Sequence, residues 1–176
     1  MHRAHGEGKS PSAARRVQKG RPMERKAAAL AGEPVAKHMR THFISAGPDD
    51  SLLEADRIMR LARIRHLPVV RKGALIGLLS HRDVLSASIA KLQDCEPAQR
   101  LDYLRGIKIQ EVMSRDLATA TEETTLGAAA QRMLRLKIGC LPVVRGGPNG
   151  PSLVGILTES DLLRAAYAPD FEGASD

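Results

Sequence analysis

The chain has 176 residues, 43% of them hydrophobic and 27% charged, with a net charge of +7. That suits one compact body with some tail, and no apolar run approaches the ~18–20 residues of a membrane-spanning helix. No apolar h-region follows the basic N-terminus, so no secretory signal is expected. Four aromatics, Phe43, Tyr103, Tyr167 and Phe171, are too few for a base-stacking nucleic-acid platform.

Residues 1–33 carry eight of the basic residues against Glu7, Glu24 and Glu33, a net +5, leaving only +2 for the rest of the chain. The basicity therefore belongs to a tail. Residues 1–34, rich in Ala, Gly, Pro, Arg and Lys without a sustained apolar period, are expected to be largely disordered. Met23, in "RPMERK", is a second candidate start of the chain. Such a tail can hold nucleic acid or an acidic partner through salt-sensitive contacts. Cys95 and Cys140 are far apart and form no C-x-x-C pair, which argues against a disulfide framework or a zinc site and sets the cytoplasm as the expected compartment.

From residue 35 the sequence repeats itself, and repeats decide architecture before local propensity does. A shift of 74 positions carries Val35 onto Ile109, Met39 onto Met113, Leu52 onto Leu126, Met59 onto Met133 and "LPVV" 67–70 onto "LPVV" 141–144. Beyond that the shift is 78, because the second copy has four extra residues in "RGGPNGPS"; Gly77 then meets Gly155 and Asp83 meets Asp161.

Both copies predict the same elements in the same order. A short extended piece comes first, Phe43-Ile44-Ser45 or Leu117-Ala118-Thr119. A helix follows, opened in copy one by the capping box Ser51-x-x-Glu54. Its apolar positions Leu52, Ala55, Met59 and Ala62 match Leu126, Ala129, Met133 and Leu136, at helical spacing. Next is a β-hairpin from "LPVV" through a turn to "ALIGLL" or "LVGIL". A second helix then starts at Ser80-x-x-Asp83 or Thr158-x-x-Asp161, each of which fits a capping box in its own right. The unit is β-α-β-β-α, of the mixed α/β (α+β) class, and two units should pack as one pseudo-twofold body.

Other motifs carry little chemistry. His38 and His42 straddle a predicted turn rather than one helix face, which disfavours a metal pair. "GGPNG" lacks the Gly-Lys-Ser/Thr of a phosphate loop and reads as a turn. The Met39/Met113 and Met59/Met133 pairs are assigned to the core. Cys140 reads as a small buried thiol before a strand, with a redox role as the alternative. No nucleophile, paired-carboxylate or metal constellation points to an enzyme.

The order Met39, extended piece, "PDDSLLEADRIMRLARIRHLPVV", "GLLSHRD", found twice, strongly resembles the CBS domain, named after cystathionine β-synthase. The chain is similar to a tandem pair, or Bateman module, with motif 1 at 35–93, a linker at 94–108, motif 2 at 109–167 and a C-terminal tail at 168–176. The resemblance implies a regulatory module, homodimeric, that binds an adenosyl compound (AMP, ADP, ATP or S-adenosylmethionine) between the motifs and has no obligatory cofactor. Carried onto this chain, one implied site joins Ser80 and Asp83 to Leu117, Ala118, Thr119, Gly139 and Cys140. The other joins Thr158 and Asp161 to Phe43, Ile44, Ser45, Arg65 and His66. Each aspartate would accept the ribose hydroxyls. Arg65 and His66 would bind phosphate by charge-assisted bonds, so the second site is expected to prefer phosphorylated ligands. The first would make little phosphate contact unless Arg82 supplies the charge. The rival reading is an interaction scaffold with empty clefts and a working basic tail.

Overall fold

The computed structural model describes residues 22–89 and 97–171. In chain order the elements are helix α1 (Pro22–Ala31), a 3-10 turn (Val35–Lys37), α2 (Leu52–Leu61), strands β1 (His66–Arg71) and β2 (Ala74–Ser80), α3 (His81–Ile89) and α4 (Pro97–Gly106). They continue with α5 (Ile109–Val112), α6 (Leu126–Leu136), β3 (Cys140–Arg145), β4 (Ser152–Thr158) and α7 (Glu159–Phe171). Among the described residues no helix is long and apolar enough to cross a membrane.

Both hairpins form, with the same register and the same bulge. Val69 pairs with Gly77 and Val70 with Leu75, so Ile76 is bulged; Val143 pairs with Gly155 and Val144 with Leu153, so Val154 is bulged. The first turn is tight, with Lys72 at φ 50° and Gly73 at φ 81°, the left-handed pair a two-residue hairpin turn demands. The hairpins meet at their turn ends, where Ala74 pairs with Ser152, and the sheet order is β1-β2-β4-β3.

The expected first strand of each copy is not a strand. Only the residue after it joins the sheet, Ala46 bridging Val69 and Ala120 bridging Val143, both in parallel sense. Phe43–Ser45 and Leu117–Thr119 stay outside the ladder.

The repeats are not separate bodies, because each lends its leading segment to the other's core. Val35 and Met39 pack with Leu126, Ala129, Met133, Leu141, Val143 and Leu157 of copy two. Ile109 and Met113 pack with Leu52, Ala55, Met59, Leu67, Val69 and Leu79 of copy one. Backbone bonds fix the exchange at matched positions: Val35 N–H to Thr124 O at 2.8 Å and Ile109 N–H to Asp50 O at 2.9 Å. Further along, Arg40 bridges Ile156 and Ser114 bridges Leu78. Glycine makes this approach feasible. A Cβ on Gly155 would lie 2.6 Å from Met39 Sδ, and one on Gly77 would lie 2.9 Å from Met113 Cγ, closer than van der Waals contact allows. Burying Val35 completely, as here, contributes about 1.5–3 kcal/mol to holding its leader on the other repeat.

The exchange also revises the expected tail. Residues 22–31 are helical rather than disordered: Pro22 stands at the first position, where its missing N–H costs nothing, and an alanine-rich run follows. This helix packs on α6 and α7, with Gly127 admitting Ala31, whose carbonyl oxygen would lie 3.0 Å from an added Cβ. Helix α4, inside the expected linker, begins 75 residues later, also at a proline, and packs on α2. The structural repeat thus begins before residue 35. Helix α7 likewise runs on to Phe171, into the expected C-terminal tail. The basic residues 1–21 and Cys95 lie outside the described residues, and with them the nucleic-acid or acidic-partner reading of the tail.

Candidate functional site

The second helix of each copy starts at the motif that the sequence singled out. Ser80 and Asp83 form a full reciprocal capping box: Asp83 Oδ2 accepts from Ser80 N–H at 2.8 Å and from Ser80 Oγ at 2.7 Å, and Asp83 N–H donates to Ser80 Oγ at 3.2 Å. Asp83 Oδ1 has no partner among the described residues. Asp161 Oδ2 is held in the same way by Thr158 N–H at 2.9 Å and Thr158 Oγ1 at 2.6 Å.

The other oxygen separates the two copies. Asp161 Oδ1 accepts from Arg40 Nε at 2.9 Å and from Arg164 Nη1 at 3.2 Å, and its side chain is only 1% exposed. All four of its acceptor directions are taken, so the ribose role expected of Asp161 meets a carboxylate already committed. The cause lies in two residues. Arg40 corresponds to Ser114 in the other copy and Arg164 to Ser86, neither long enough to reach Asp83. Burial pushes the Asp161 carboxyl up, but the Thr158 hydroxyl, the Arg40 guanidinium and the Thr158 N–H outweigh it and hold it below the ordinary carboxylate value.

Two clefts flank these helix starts. Cleft one, about 430 Å³, is lined by Arg40, His42, Phe43, Ile44, Ala62, Arg63, Ile64, Arg65, His66, Gly139, Ile156, Thr158, Glu159 and Ser160. Cleft two, about 950 Å³, takes Ser80, Arg82, Asp83, Leu117, Ala118, Gly139 and Cys140 from the expected set and adds Leu78, His81, Ser114, Asp116, Leu136, Lys137 and Ile138. Both volumes fall in the range of small-molecule sites. Of the expected residues, Ser45, Thr119 and Asp161 line neither cleft; Thr119 instead offers its carbonyl to Arg132.

At the centre the two expected sets meet. Arg65, His66, Gly139 and Glu159 line both clefts and form the wall between them. Gly139 keeps that wall thin, since a Cβ there would lie 3.1 Å from Glu159 Oε2 and 3.6 Å from His66 Cε1. His66 does not bring a charge, because burial and then the Arg65 guanidinium push its pKa below the usual histidine value. That shift favours the neutral imidazole, which offers one N–H donor rather than a charge-assisted one. Cys140 is 2% exposed, and burial, then Asp161, pushes its thiol up to about 12. It is a packed thiol, not a reactive one. Among the described residues no group of three or more His, Cys, Asp or Glu is placed to hold a metal ion.

Both repeats of this α+β body match a family model. The model of the CBS domain fits residues 35–90 and again 109–168. The chain is a tandem CBS pair.

The pair is 30% identical over 138 residues to the uncharacterized protein MJ1225 of Methanocaldococcus jannaschii, covering 75% of this chain and 46% of that one. It is 32% identical over 120 residues to the inosine-5′-monophosphate dehydrogenase of Korarchaeum cryptofilum, covering 68% of this chain and 21% of the enzyme. The chain therefore spans less than half the length of these relatives. Among solved structures it is similar to the CBS pair of protein MJ0100 in complex with 5′-methylthioadenosine and S-adenosyl-L-methionine, at TM-score 0.61 and 26% identity, covering 81% of this chain and 98% of that one. It is also similar to CBSX2 in complex with AMP, at TM-score 0.64 and 26% identity, covering 79% and 99%.

Several cleft residues of the CBS pair escaped sequence reading. Ala62 and Leu136, which helical spacing aligns with Leu52, Ala55 and Met59 and their counterparts, are exposed at the cleft walls. Ala62 caps the C-terminus of α2 and Leu136 ends α6, about one turn beyond the packed face. Arg63 and Lys137, the next equivalent pair, have left-handed backbones at φ 53° and 55° and put one cation at each cleft mouth. Arg40 was detectable: the 74-residue shift sets it against Ser114, one place after the matched methionines.

Proposed function

We propose that this CBS pair is a regulatory sensor that binds an adenosyl ligand (AMP, ADP, ATP or S-adenosylmethionine) between its motifs and signals through their relative packing. The observation that carries the reading is Asp83. Its Oδ2 is locked by Ser80, while Oδ1 is uncommitted and Asp83 lines the larger cleft, which is the arrangement a ribose diol needs from an acceptor-only group. Leu78, Leu117, Ala118 and Ile138 supply apolar surface for a base, and Arg82 and Lys137 supply cations for a phosphate or for the carboxylate of a sulfonium-bearing chain. The complexes of MJ0100 and CBSX2 with adenosyl compounds support the ligand class. A homodimer belongs to the same proposal and is checked by light scattering of the free chain.

Each cleft takes walls from both motifs, so a ligand that favours one arrangement by differential affinity shifts the population towards it. Calorimetry with AMP, ATP and S-adenosylmethionine tests the reading. Asp83→Ala should weaken the bound ligand about 10–100-fold, the loss of hydrogen bonds to a charged acceptor. Asp161→Ala should weaken it less. Absence of heat and of thermal stabilisation with all three at millimolar concentration refutes the proposal.

A further inference from the structure

We propose that Arg40 divides the clefts by ligand class: cleft two reads a ribose through Asp83, whereas cleft one holds a phosphorylated ligand without reading its ribose. The inference rests on the reading of Asp83 as the ribose acceptor and extends it.

The backbones around the two aspartates are equivalent, since Arg40 and Ser114 make matching antiparallel bridges, to Ile156 and Leu78. Only the side chains differ. Arg40 Nε closes the last acceptor position of Asp161 together with Arg164, so a diol arriving in cleft one meets the Arg40 guanidinium, and the carboxylate buried behind it has no free lone pair to offer. The same guanidinium keeps Nη1 and Nη2 without partners among the described residues, and it lines the cleft half exposed. A cation takes the place of an acceptor.

The remaining lining agrees. Cleft one sets three guanidiniums, Arg40, Arg63 and Arg65, against the single carboxylate Glu159. Cleft two sets Arg65, Arg82 and Lys137 against Asp83, Asp116 and Glu159, three cations to three carboxylates. An excess of positive charge over the apolar bed of Phe43, Ile44, Ile64 and Ile156 suits an anionic group on a flat apolar body. Cleft two, balanced and larger, has a free acceptor instead.

The test is titration calorimetry of the full chain with adenosine, AMP and 2′,3′-dideoxy-AMP. The unmodified chain should bind one equivalent of adenosine. The double variant Arg40→Ser with Arg164→Ser, which gives Asp161 the neighbours of Asp83, should bind two. Asp83→Ala should weaken adenosine binding about 10–100-fold yet leave a site whose affinities for AMP and the dideoxy analogue agree within about twofold. Ser114→Arg, which builds the clamp over Asp83 without touching the capping box, should weaken adenosine at least tenfold. Two equivalents of adenosine on the unmodified chain, or one on the double variant, overturn the role of Arg40 while leaving the adenosyl reading intact. A tenfold preference for AMP over its dideoxy analogue in Asp83→Ala does the same. Failure of every chain to bind any of the three compounds overturns this inference, and the adenosyl reading falls with it when ATP and S-adenosylmethionine also fail to bind.

Discussion

Gly77→Ala tests the exchange of leaders between the repeats. The added Cβ would point into Met113, with Cγ at 2.9 Å and Cε at 3.1 Å, where carbon contacts settle near 3.5–4.0 Å. Met113 is 7% exposed, so it cannot escape into water without uncovering core. Overpacking of this kind costs about 1–3 kcal/mol. Met113→Ala alone removes a buried side chain at about 2–5 kcal/mol. In the double variant the methyl added at position 77 occupies space that the Met113 side chain has left. The two costs should then fall short of adding, by at least about 1 kcal/mol of coupling. Urea denaturation of the four chains supplies the cycle. Residues 77 and 113 belong to different repeats, so costs that add within about 0.5 kcal/mol would refute their packing and, with it, the exchanged core.

Three further outcomes are expected. Arg63→Gly and Lys137→Gly each relieve a left-handed backbone that costs a side-chain-bearing residue about 1–2 kcal/mol, so each should raise the melting temperature while weakening a phosphorylated ligand; a fall in melting temperature contradicts the strain. The depressed Asp161 carboxyl stabilises the fold above its unfolded pKa, near 4, and that stability is lost as pH falls through the lower folded value. The stability gap between the unmodified chain and Arg40→Ser should accordingly be full at pH 6 and close below about pH 4, and a gap independent of pH rules out the ion pair as its source. In a Cys95→Ser background, the buried Cys140 thiol should resist maleimide at pH 8 until the chain unfolds, and rapid native labelling would contradict its burial.

Much of this architecture was legible because a repeat is a strong constraint. The matched "LPVV" strands, the Ser51 and Ser80 caps and the helix positions Leu52, Ala55 and Met59 are local patterns, readable from spacing alone. The errors cluster where the decisive contact is remote. Phe43–Ser45 looked like a strand from its composition, yet a strand exists only where a partner's backbone is opposite, and only Ala46 has one. Helix α1 is not legible in the sequence because its alanines carry no apolar period; it packs on the surface of α6 and α7, more than ninety residues away.

The same division applies to the clefts. The sequence by itself determined that two cap motifs exist, that each sits at a helix start, and that Asp83 and Asp161 each accept from the N–H and hydroxyl three residues before them. Those are bonds within three residues of each other, so they survive any packing of the rest. Only the tertiary structure decided that the two aspartates are unequal. Arg40 reaches Asp161 across 121 positions because its leader crosses to the other repeat, and a buried carboxylate takes whichever donors the fold brings to it. No pattern local to either motif records that encounter.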